Sequence, residues 1–355
     1  VEYENMKKLS SWKSGSIHEL KPWGWNPQSA DFLQPLAEHT GQHKPIKWDS
    51  KWKNIYSKIW SASQLEQFLN NYKKKWLCDT DVVGIKCTTI NEVMNLVLKS
   101  NCNFIIKTPI ASSGRGQIRV KKGILRKDQI ENLENIIQKH KEVIVEPWLN
   151  KVLDLSFHFD ITENQKINYA GWTRFCTNGR GQYRATFVSK MFAGLPLDIK
   201  KFLYGDGKRP KQLHRLGEAL SQEIGQKIAM LDYIGPVGID ALIYKNANQQ
   251  LQLKPIVEIN PRWTMGRVGH SLKFRVNSAR TAVWLILHRR EAISAGFNNF
   301  AQWSENIYDK IPIKLTENER QISRGILFTT EPTELTEFCT ALIVATSLED
   351  CKNIA

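Results

Sequence analysis

The segment covering residues 235–262 most constrains the fold, because it places three oxygen-bearing side chains on two neighbouring strand-like runs. In the first run, GPVGIDALIY, β-branched residues alternate with polar or small ones, so Asp240 points away from the more apolar face. In the second run, Glu258 and Asn260 are two residues apart and share a face. The polar residues 246–250 between the runs predict a hairpin, which brings Asp240 close to Glu258.

Two carboxylates held this close repel each other unless a cation lies between them. Oxygen ligands of this kind suit a hard cation such as Mg²⁺, which also takes phosphate oxygens and water as ligands. We therefore predict that Asp240, Glu258 and Asn260 bind Mg²⁺, with two ions expected. An ordinary hairpin with exposed acids is the alternative interpretation of this segment when it is taken alone.

A second motif lies upstream, where a strand-like run ends in Lys107 and a short glycine-bearing loop follows, in the sequence IIKTPIASSGRGQIRV. Glycines let backbone N–H groups approach an anion closely, and a lysine adds a point charge. The segment is therefore suited to phosphate binding, although a structural hairpin turn explains it equally well by itself. The chain contains neither a GxxxxGK[ST] loop nor a GxGxxG motif.

Hydrophobic periodicity organises the rest of the chain. The predicted helices begin near residue 57, at the capping-box pair Thr89 and Glu92, and near residues 127, 213 and 278. Strands are predicted at 104–107, 117–121, 142–146 and 153–161, followed by a hairpin joined through Asn178 and Gly179. Residues 191–212 are predicted to form a long loop, and two strand-like runs follow residue 298.

The order of these features resembles that of ATP-grasp enzymes over about residues 57–290. The resemblance implies an α+β fold in which two subdomains grip the nucleotide, with a short, irregular pre-grasp region before them. It implies a Trp/Pro-rich cap and pre-grasp region at 1–100, a lid subdomain at 101–150, a core subdomain with the metal site at 151–297, and an extension at 298–355.

The resemblance also assigns nucleotide-binding roles. Lys58 matches the first phosphate-contacting lysine of the family and Lys107 the second. The other matches are Ser112, Ser113, Gly114 and Gly116 in the phosphate-covering loop, Glu146, Trp148 and Leu149 in the hinge that hydrogen-bonds and sandwiches adenine, and Asp154 as the acceptor of ribose hydroxyls. A solvated helix residue is the alternative for Lys58, and polar strand ends are the alternative for Glu146 and Asp154.

Three arginines are candidates for catalysis. By the resemblance, Arg262 matches an arginine that contacts phosphate or the developing acyl phosphate. Arg174 and Arg184 fall almost opposite each other across the predicted hairpin, and facing like charges destabilise a strand pair unless an anion separates them. Because a guanidinium binds carboxylate or phosphate in a bidentate manner, we expect these two to bind the substrate carboxylate or the γ-phosphate. Arginines that reach solvent are the alternative.

The resemblance implies an ATP- and Mg²⁺-dependent ligase that activates a carboxylate as an acyl phosphate for attack by an amine or thiol. The implied partners are a small-molecule or peptide carboxylate and an amine or thiol acceptor, with an acidic carrier protein as a further partner. Two alternatives remain open. One is an ATP-grasp kinase that phosphorylates a small molecule, and the other is a non-catalytic basic protein that binds nucleic acid.

Composition narrows the class of protein. The net charge of +15 attracts anions, but dispersed lysines favour a solvated surface over a dedicated polyanion groove, so nucleic acid is not an expected partner. Apolar runs of membrane-spanning length and a signal-type segment are absent, which predicts a cytoplasmic protein. The six cysteines form no CxxC pair and are expected to be reduced.

Overall fold

The computed structural model describes residues 17–37, 39–40, 48–98, 102–111, 116–179, 181–205 and 211–354. The helices in these ranges are α1 (Pro27–Ala37), α2 (Lys58–Asn71), α3 (Ile90–Leu98), α4 (Lys127–His140), α5 (Leu197–Tyr204), α6 (Gln212–Ala229), α7 (Met265–Leu272), α8 (Arg289–Ser294), α9 (Phe300–Lys310) and α10 (Leu348–Ile354). The strands are β1 (Ile85–Cys87), β2 (Phe104–Lys107), β3 (Gln117–Val120), β4 (Val143–Pro147), β5 (Asn150–Ile161), β6 (Ile167–Thr177), β7 (Tyr183–Ser189), β8 (Gly235–Lys245), β9 (Leu251–Asn260), β10 (Thr281–His288), β11 (Lys314–Leu315), β12 (Ile322–Phe328) and β13 (Phe338–Ala345).

These strands form two antiparallel sheets. The smaller sheet has four strands in the order β1-β4-β2-β3, and the larger sheet has nine in the order β11-β12-β13-β10-β7-β6-β5-β8-β9. The two strand-like runs predicted after residue 298 are β12 and β13, which pair with each other and extend the larger sheet through β10. Two sheets with helices packed against them confirm the predicted α+β class.

Apolar helix faces hold each sheet in place. The helix α2 begins after Ser57, whose side chain accepts a hydrogen bond from the Ile59 N–H, and it buries Leu65 and Phe68 in the core of the larger sheet. The helix α6 packs on the same core through residues spaced three or four apart, namely Leu213, Leu216, Leu220, Ile224 and Ile228.

The smaller sheet has its own core. The helices α3 and α4 cover one of its faces and bury Val93, Val97 and Leu133. The predicted capping box of α3 is present: the Glu92 N–H donates to Thr89 Oγ1 at 3.2 Å, and the Thr89 N–H donates to Glu92 Oε2 at 3.4 Å.

Two predicted elements are wrong. The helix expected from about residue 278 is instead the strand β10, which lies between β7 and β13 and is apolar on both faces. When both faces of a short strand are buried, apolar and polar residues do not alternate along it, so the sequence pattern cannot distinguish the strand from a buried helix. The predicted loop at 191–212 contains the helix α5, which buries Ile199 and Leu203.

One face of β5 is more buried than its alternating sequence predicts. Ser156 and His158 are polar, yet they are almost fully inaccessible, because α7 packs over this face of the strand. A side chain at Gly266 would come within 2.9 Å of both His158 Cε1 and Thr173 Oγ1, so the absent Cβ permits the close packing. The first turn of α7 therefore sits directly on the sheet.

All six cysteines lie in the described part of the chain and are unpaired. Within the described ranges, no helix has both the length and the apolar character needed to span a membrane.

Candidate active site

A central cleft of about 530 Å³ is lined by residues of both sheets. Its volume is within the usual range for small-molecule sites. Ten of the residues singled out from the sequence line this cleft: Lys58, Lys107, Glu146, Trp148, Leu149, Asp154, Asp240, Glu258, Asn260 and Arg262.

The two acidic strands meet as expected. In the register of β8 and β9, Asp240 lies opposite Glu258, and Gly238 lies opposite Asn260, which confirms the predicted proximity. The Asn260 Nδ2 donates to Asp240 Oδ2 at 3.2 Å. Burial, and then the charge of Glu258, raise the pKa of Asp240 to about 7. A carboxyl group whose ionisation is opposed by burial and by a neighbouring carboxylate lies in a site suited to a cation.

The donor set fits Mg²⁺ better than a metal that requires a full protein cage. Among the described residues, no three His, Cys, Asp or Glu side chains converge on one point. An ion held by Asp240, Glu258 and the Asn260 oxygen would take its remaining ligands from phosphate and water, as Mg²⁺ commonly does. The Asn260 Oδ1 accepts a hydrogen bond from Arg262 Nη2 at 2.8 Å and retains a second lone pair.

Lys58 lies between the metal-type ligands and the predicted phosphate loop. It is the first residue of α2 and is buried, and its Nζ lies 2.7 Å from Glu258 Oε1. The same Nζ donates to the Ala111 carbonyl at 2.7 Å, while the Lys58 N–H donates to the Pro109 carbonyl at 2.8 Å. The lysine therefore connects the larger sheet to the segment that leads into the loop.

A buried ion triad forms the floor of the cleft. The two oxygens of Glu146 pair with Lys107 at 3.0 Å and with Lys254 at 2.8 Å. Burial would raise the pKa of Glu146, but the charges of the two lysines outweigh it and hold the pKa at about 2. Each oxygen of the Glu146 carboxylate is thus engaged by one lysine, and the adenine contact predicted for this residue stays a prediction.

The backbone after Glu146 is the segment predicted to form the adenine hinge. Pro147 has no N–H, and the Trp148 N–H donates to the Asn103 carbonyl at 2.8 Å. The Leu149 N–H has no acceptor among the described residues, which leaves it as the hinge donor available to a ligand. Because Leu149 also lines the cleft, this N–H is suited to a ring nitrogen of a base.

Asp154 is held in place by two neighbours. Its Oδ2 accepts from Lys151 Nζ at 2.6 Å and from Thr177 Oγ1 at 3.2 Å. No described group bonds to Oδ1, so this atom is suited to accept hydrogen bonds from sugar hydroxyls.

Lys254 and Arg119 are among the cleft residues that sequence reasoning missed. Lys254 interrupts an apolar strand in the sequence LQLKPIVEIN, and a buried lysine of this kind signals a buried acid. Arg119 gives no such signal, because its partners come from distant parts of the chain. Its guanidinium lies 4.4 Å from the ring centroid of Trp148, and its Nη1 donates to the Gly179 carbonyl at 3.0 Å.

We expect Arg119→Ala to weaken ATP binding roughly tenfold, because the variant loses contacts to both the hinge ring and the hairpin tip, on the order of 1–2 kcal/mol. Isothermal calorimetry with ATP measures the effect. Arg126→Ala is the matched control, since Arg126 is an exposed arginine whose ion pair among the described residues is with Asp128. Equal affinities of the two variants would contradict the assignment of Arg119 to the nucleotide site.

The predicted pair of facing arginines does not form. The β6–β7 hairpin turns over a longer segment than Asn178 and Gly179, since the Asn178 N–H donates to the Gln182 carbonyl. Arg174 therefore lies opposite Phe187, with its guanidinium 3.3 Å from the Phe187 ring centroid. Arg174 is buried and donates to the Ala193 carbonyl, while Arg184 pairs with Glu291. Neither side chain lines the cleft, so the predicted role of Arg174 and Arg184 in binding substrate is not supported.

Part of the predicted phosphate loop lies outside the described residues. Ser112, Ser113 and Gly114 fall there. Gly116 is described and has a φ of +64°, and its carbonyl accepts from the Thr108 N–H at 3.1 Å. A Cβ at Gly116 would lie 2.7 Å from Thr108 Oγ1, so both conformation and space favour glycine here.

Comparison with known proteins identifies the fold. No protein-family profile and no curated protein sequence matches the chain. Among solved structures, the chain is similar to a biotin carboxylase from Campylobacter jejuni in complex with β-γ-ATP, with a TM-score of 0.53 and 9% identity over 92% of this chain and 71% of that one.

Two further structures agree with this likeness. An N5-carboxyaminoimidazole ribonucleotide synthetase solved as its ADP complex has a TM-score of 0.52 and 9% identity, covering 100% of this chain and 82% of that one. The corresponding enzyme from Thermus thermophilus has a TM-score of 0.50 and 11% identity, covering 92% and 76%. Together these likenesses confirm the predicted ATP-grasp fold.

Proposed function

We propose that this protein is an ADP-forming ligase that uses ATP and Mg²⁺ to activate a substrate carboxylate as an acyl phosphate, which an amine or thiol then attacks. One observation carries the proposal: the Asp240 and Glu258 pair lies in the same cleft as Lys58 and Lys107. A metal ion would balance the opposed acids, and a polyphosphate would balance the buried lysines. A ligand that carries both therefore accounts for both sets of charges.

The rest of the cleft suits a nucleoside. The Leu149 N–H is available to a base, and Asp154 Oδ1 is available to sugar hydroxyls. The ring of Trp148 provides apolar surface at the same end of the cleft. Two of the similar solved structures were determined with ADP or β-γ-ATP, which supports the same choice of ligand.

The reaction follows from this placement of charge. In the first step, a carboxylate oxygen of the substrate bonds to the γ-phosphorus of ATP, the bond to the β,γ-bridging oxygen breaks, and ADP leaves. Lys58, Lys107 and Arg262 neutralise negative charge on the phosphates as it shifts toward ADP. Mg²⁺ held by Asp240, Glu258 and Asn260 would supply further charge neutralisation and orient the phosphates.

In the second step, an amine or thiol attacks the acyl carbon, loses its proton and expels phosphate. Neither step requires a side chain of the protein to form a covalent bond. We place the substrate beside Arg262 and the first turn of α7, because Thr264, Met265 and Gly266 line the cleft next to Arg262.

The test is product analysis across a panel of carboxylates, with Mg²⁺-ATP and hydroxylamine as the nucleophile. We expect ADP, free phosphate and a hydroxamate in equal amounts with the preferred carboxylate. ADP with a phosphorylated alcohol and no free phosphate would identify a kinase instead. Binding that is lost with salt, without any ATP turnover, would identify a non-catalytic binding protein.

A further inference from the structure

Residues 23–25, in the Trp/Pro-rich segment before α1, run alongside the turn that carries Arg262. The Trp263 N–H donates to the Trp23 carbonyl at 2.8 Å. Tyr56 connects the same two segments, because its hydroxyl lies 2.8 Å from the Pro261 carbonyl and 3.0 Å from the Trp25 carbonyl. The turn is therefore held from one side by the N-terminal segment.

Gly24 is the point of closest approach. A Cβ at this position would lie 2.8 Å from Arg262 Cβ and 3.5 Å from Arg262 Cδ. The contact is with the base of the arginine side chain, which cannot move aside without moving the backbone. Gly24 is not among the described residues with left-handed φ, so it is the space beside Arg262 that requires glycine here.

The other end of Arg262 is fixed as well. Its Nη2 donates to Asn260 Oδ1 at 2.8 Å, and its Nη1 donates to the Trp263 carbonyl at 3.2 Å. The guanidinium is thus held beside an oxygen of the metal-type ligand set. Its position depends on the 261–263 turn, and the position of the turn depends on residues 23–25 and Tyr56.

We infer that residues 23–25 are a positioning element of the active site, which sets the Arg262 guanidinium where phosphate charge develops. The inference rests on the proposed function, and it gives the Trp/Pro-rich segment a catalytic purpose beyond covering the core. Neither Gly24 nor Tyr56 lines the cleft, so both would act through Arg262.

Gly24→Val in the full chain tests the inference. We expect kcat for ADP release to fall about 10- to 100-fold, because small displacements of a charge-stabilising group have effects of this size. The KM for ATP should change less than about threefold, since the lysines and the hinge are untouched. Gln28→Val is the matched control, because Gln28 is exposed on the neighbouring helix α1.

A double-mutant cycle separates positioning from general damage. In the Arg262→Ala background, Gly24→Val should have almost no further effect on kcat. Independent, multiplying losses would overturn the inference, as would a Gly24→Val variant with normal kcat. If Gly24→Val does not fold, Tyr56→Phe replaces it with the same expectations, since it removes the hydroxyl that joins the two segments.

Amide hydrogen exchange of residues 260–264, measured without nucleotide, makes the test independent of the proposed function. We expect faster exchange in Gly24→Val and Tyr56→Phe than in Gln28→Val. Equal exchange in all three would overturn the positioning role. If exchange is faster in Gly24→Val and Tyr56→Phe but the wild-type protein turns over no carboxylate, the positioning role stands and the proposed ligase activity is wrong.

Discussion

Asp240→Asn and Glu258→Gln are each expected to reduce Mg²⁺-dependent ATP turnover by on the order of 10²–10³-fold while leaving the fold intact. Each substitution removes one negative charge from the proposed cation site without changing the size of the side chain. Asp240→Asn also removes a carboxyl group whose ionisation is disfavoured by burial and by the charge of Glu258. ADP release at saturating ATP measures the loss.

Thermal unfolding with and without Mg²⁺-ATP provides the accompanying control. The wild-type protein should unfold at a higher temperature with the ligand, because binding to the folded state stabilises it, and both variants should lose much of this increase. Glu337→Gln removes an exposed acid that pairs with Arg289 and should behave as the wild-type protein. Near-normal ADP release by either active-site variant would remove these residues from the metal site.

Glu146→Gln is expected to lower the free energy of unfolding by about 3–5 kcal/mol at pH 7, because it leaves Lys107 and Lys254 buried without a counter-charge. Glu142→Gln is a matched control. Glu142 precedes the same strand and pairs with Lys86, but this pair is at the surface, where such pairs contribute less than about 1 kcal/mol. Denaturant unfolding of the two variants compares them directly.

The same variant has a defined pH dependence. The folded-state pKa of Glu146 lies near 2, below its ordinary value of 4.5, so its ionisation stabilises the protein above pH 4.5. This contribution decreases as pH falls from 4.5 toward 2. The stability difference between wild type and Glu146→Gln should therefore shrink across that interval, whereas a constant difference would show that lost packing, and not lost charge, causes the effect.

The parts of the site that could be predicted are those in which one strand or loop carries its own signal. The alternation around Asp240 and the two-residue spacing of Glu258 and Asn260 define a face, and the polar turn between the strands brings those faces together. The signal from Lys107 and the glycines that follow it is likewise contained in one short segment of sequence.

The parts that could not be predicted depend on contacts between distant segments. The Asn178-Gly179 pair does not signal that the β6–β7 turn closes at Gln182, which places Arg174 opposite Phe187 and away from Arg184. Glu146 and Lys254 are more than a hundred residues apart, and only their pairing in the folded chain shows why both are buried. The strand β10 is apolar on both faces because each face packs in its own core, Val283 and Leu287 in one and Ala282 and Trp284 in the other, and most of the residues that complete these cores come later in the chain.

The contact between Lys58 and Glu258 has a consequence for the order in which ligands bind. Without ligand, the lysine ammonium occupies a carboxylate oxygen that the proposed cation needs, so free Mg²⁺ must compete with it. A phosphate group offers the ammonium a substitute partner and frees the carboxylate for the metal. We therefore expect metal and nucleotide to strengthen each other's binding by the same factor, as thermodynamic reciprocity requires. In such a scheme the resting protein discriminates against either ligand alone and is best matched to the magnesium complex of the nucleotide.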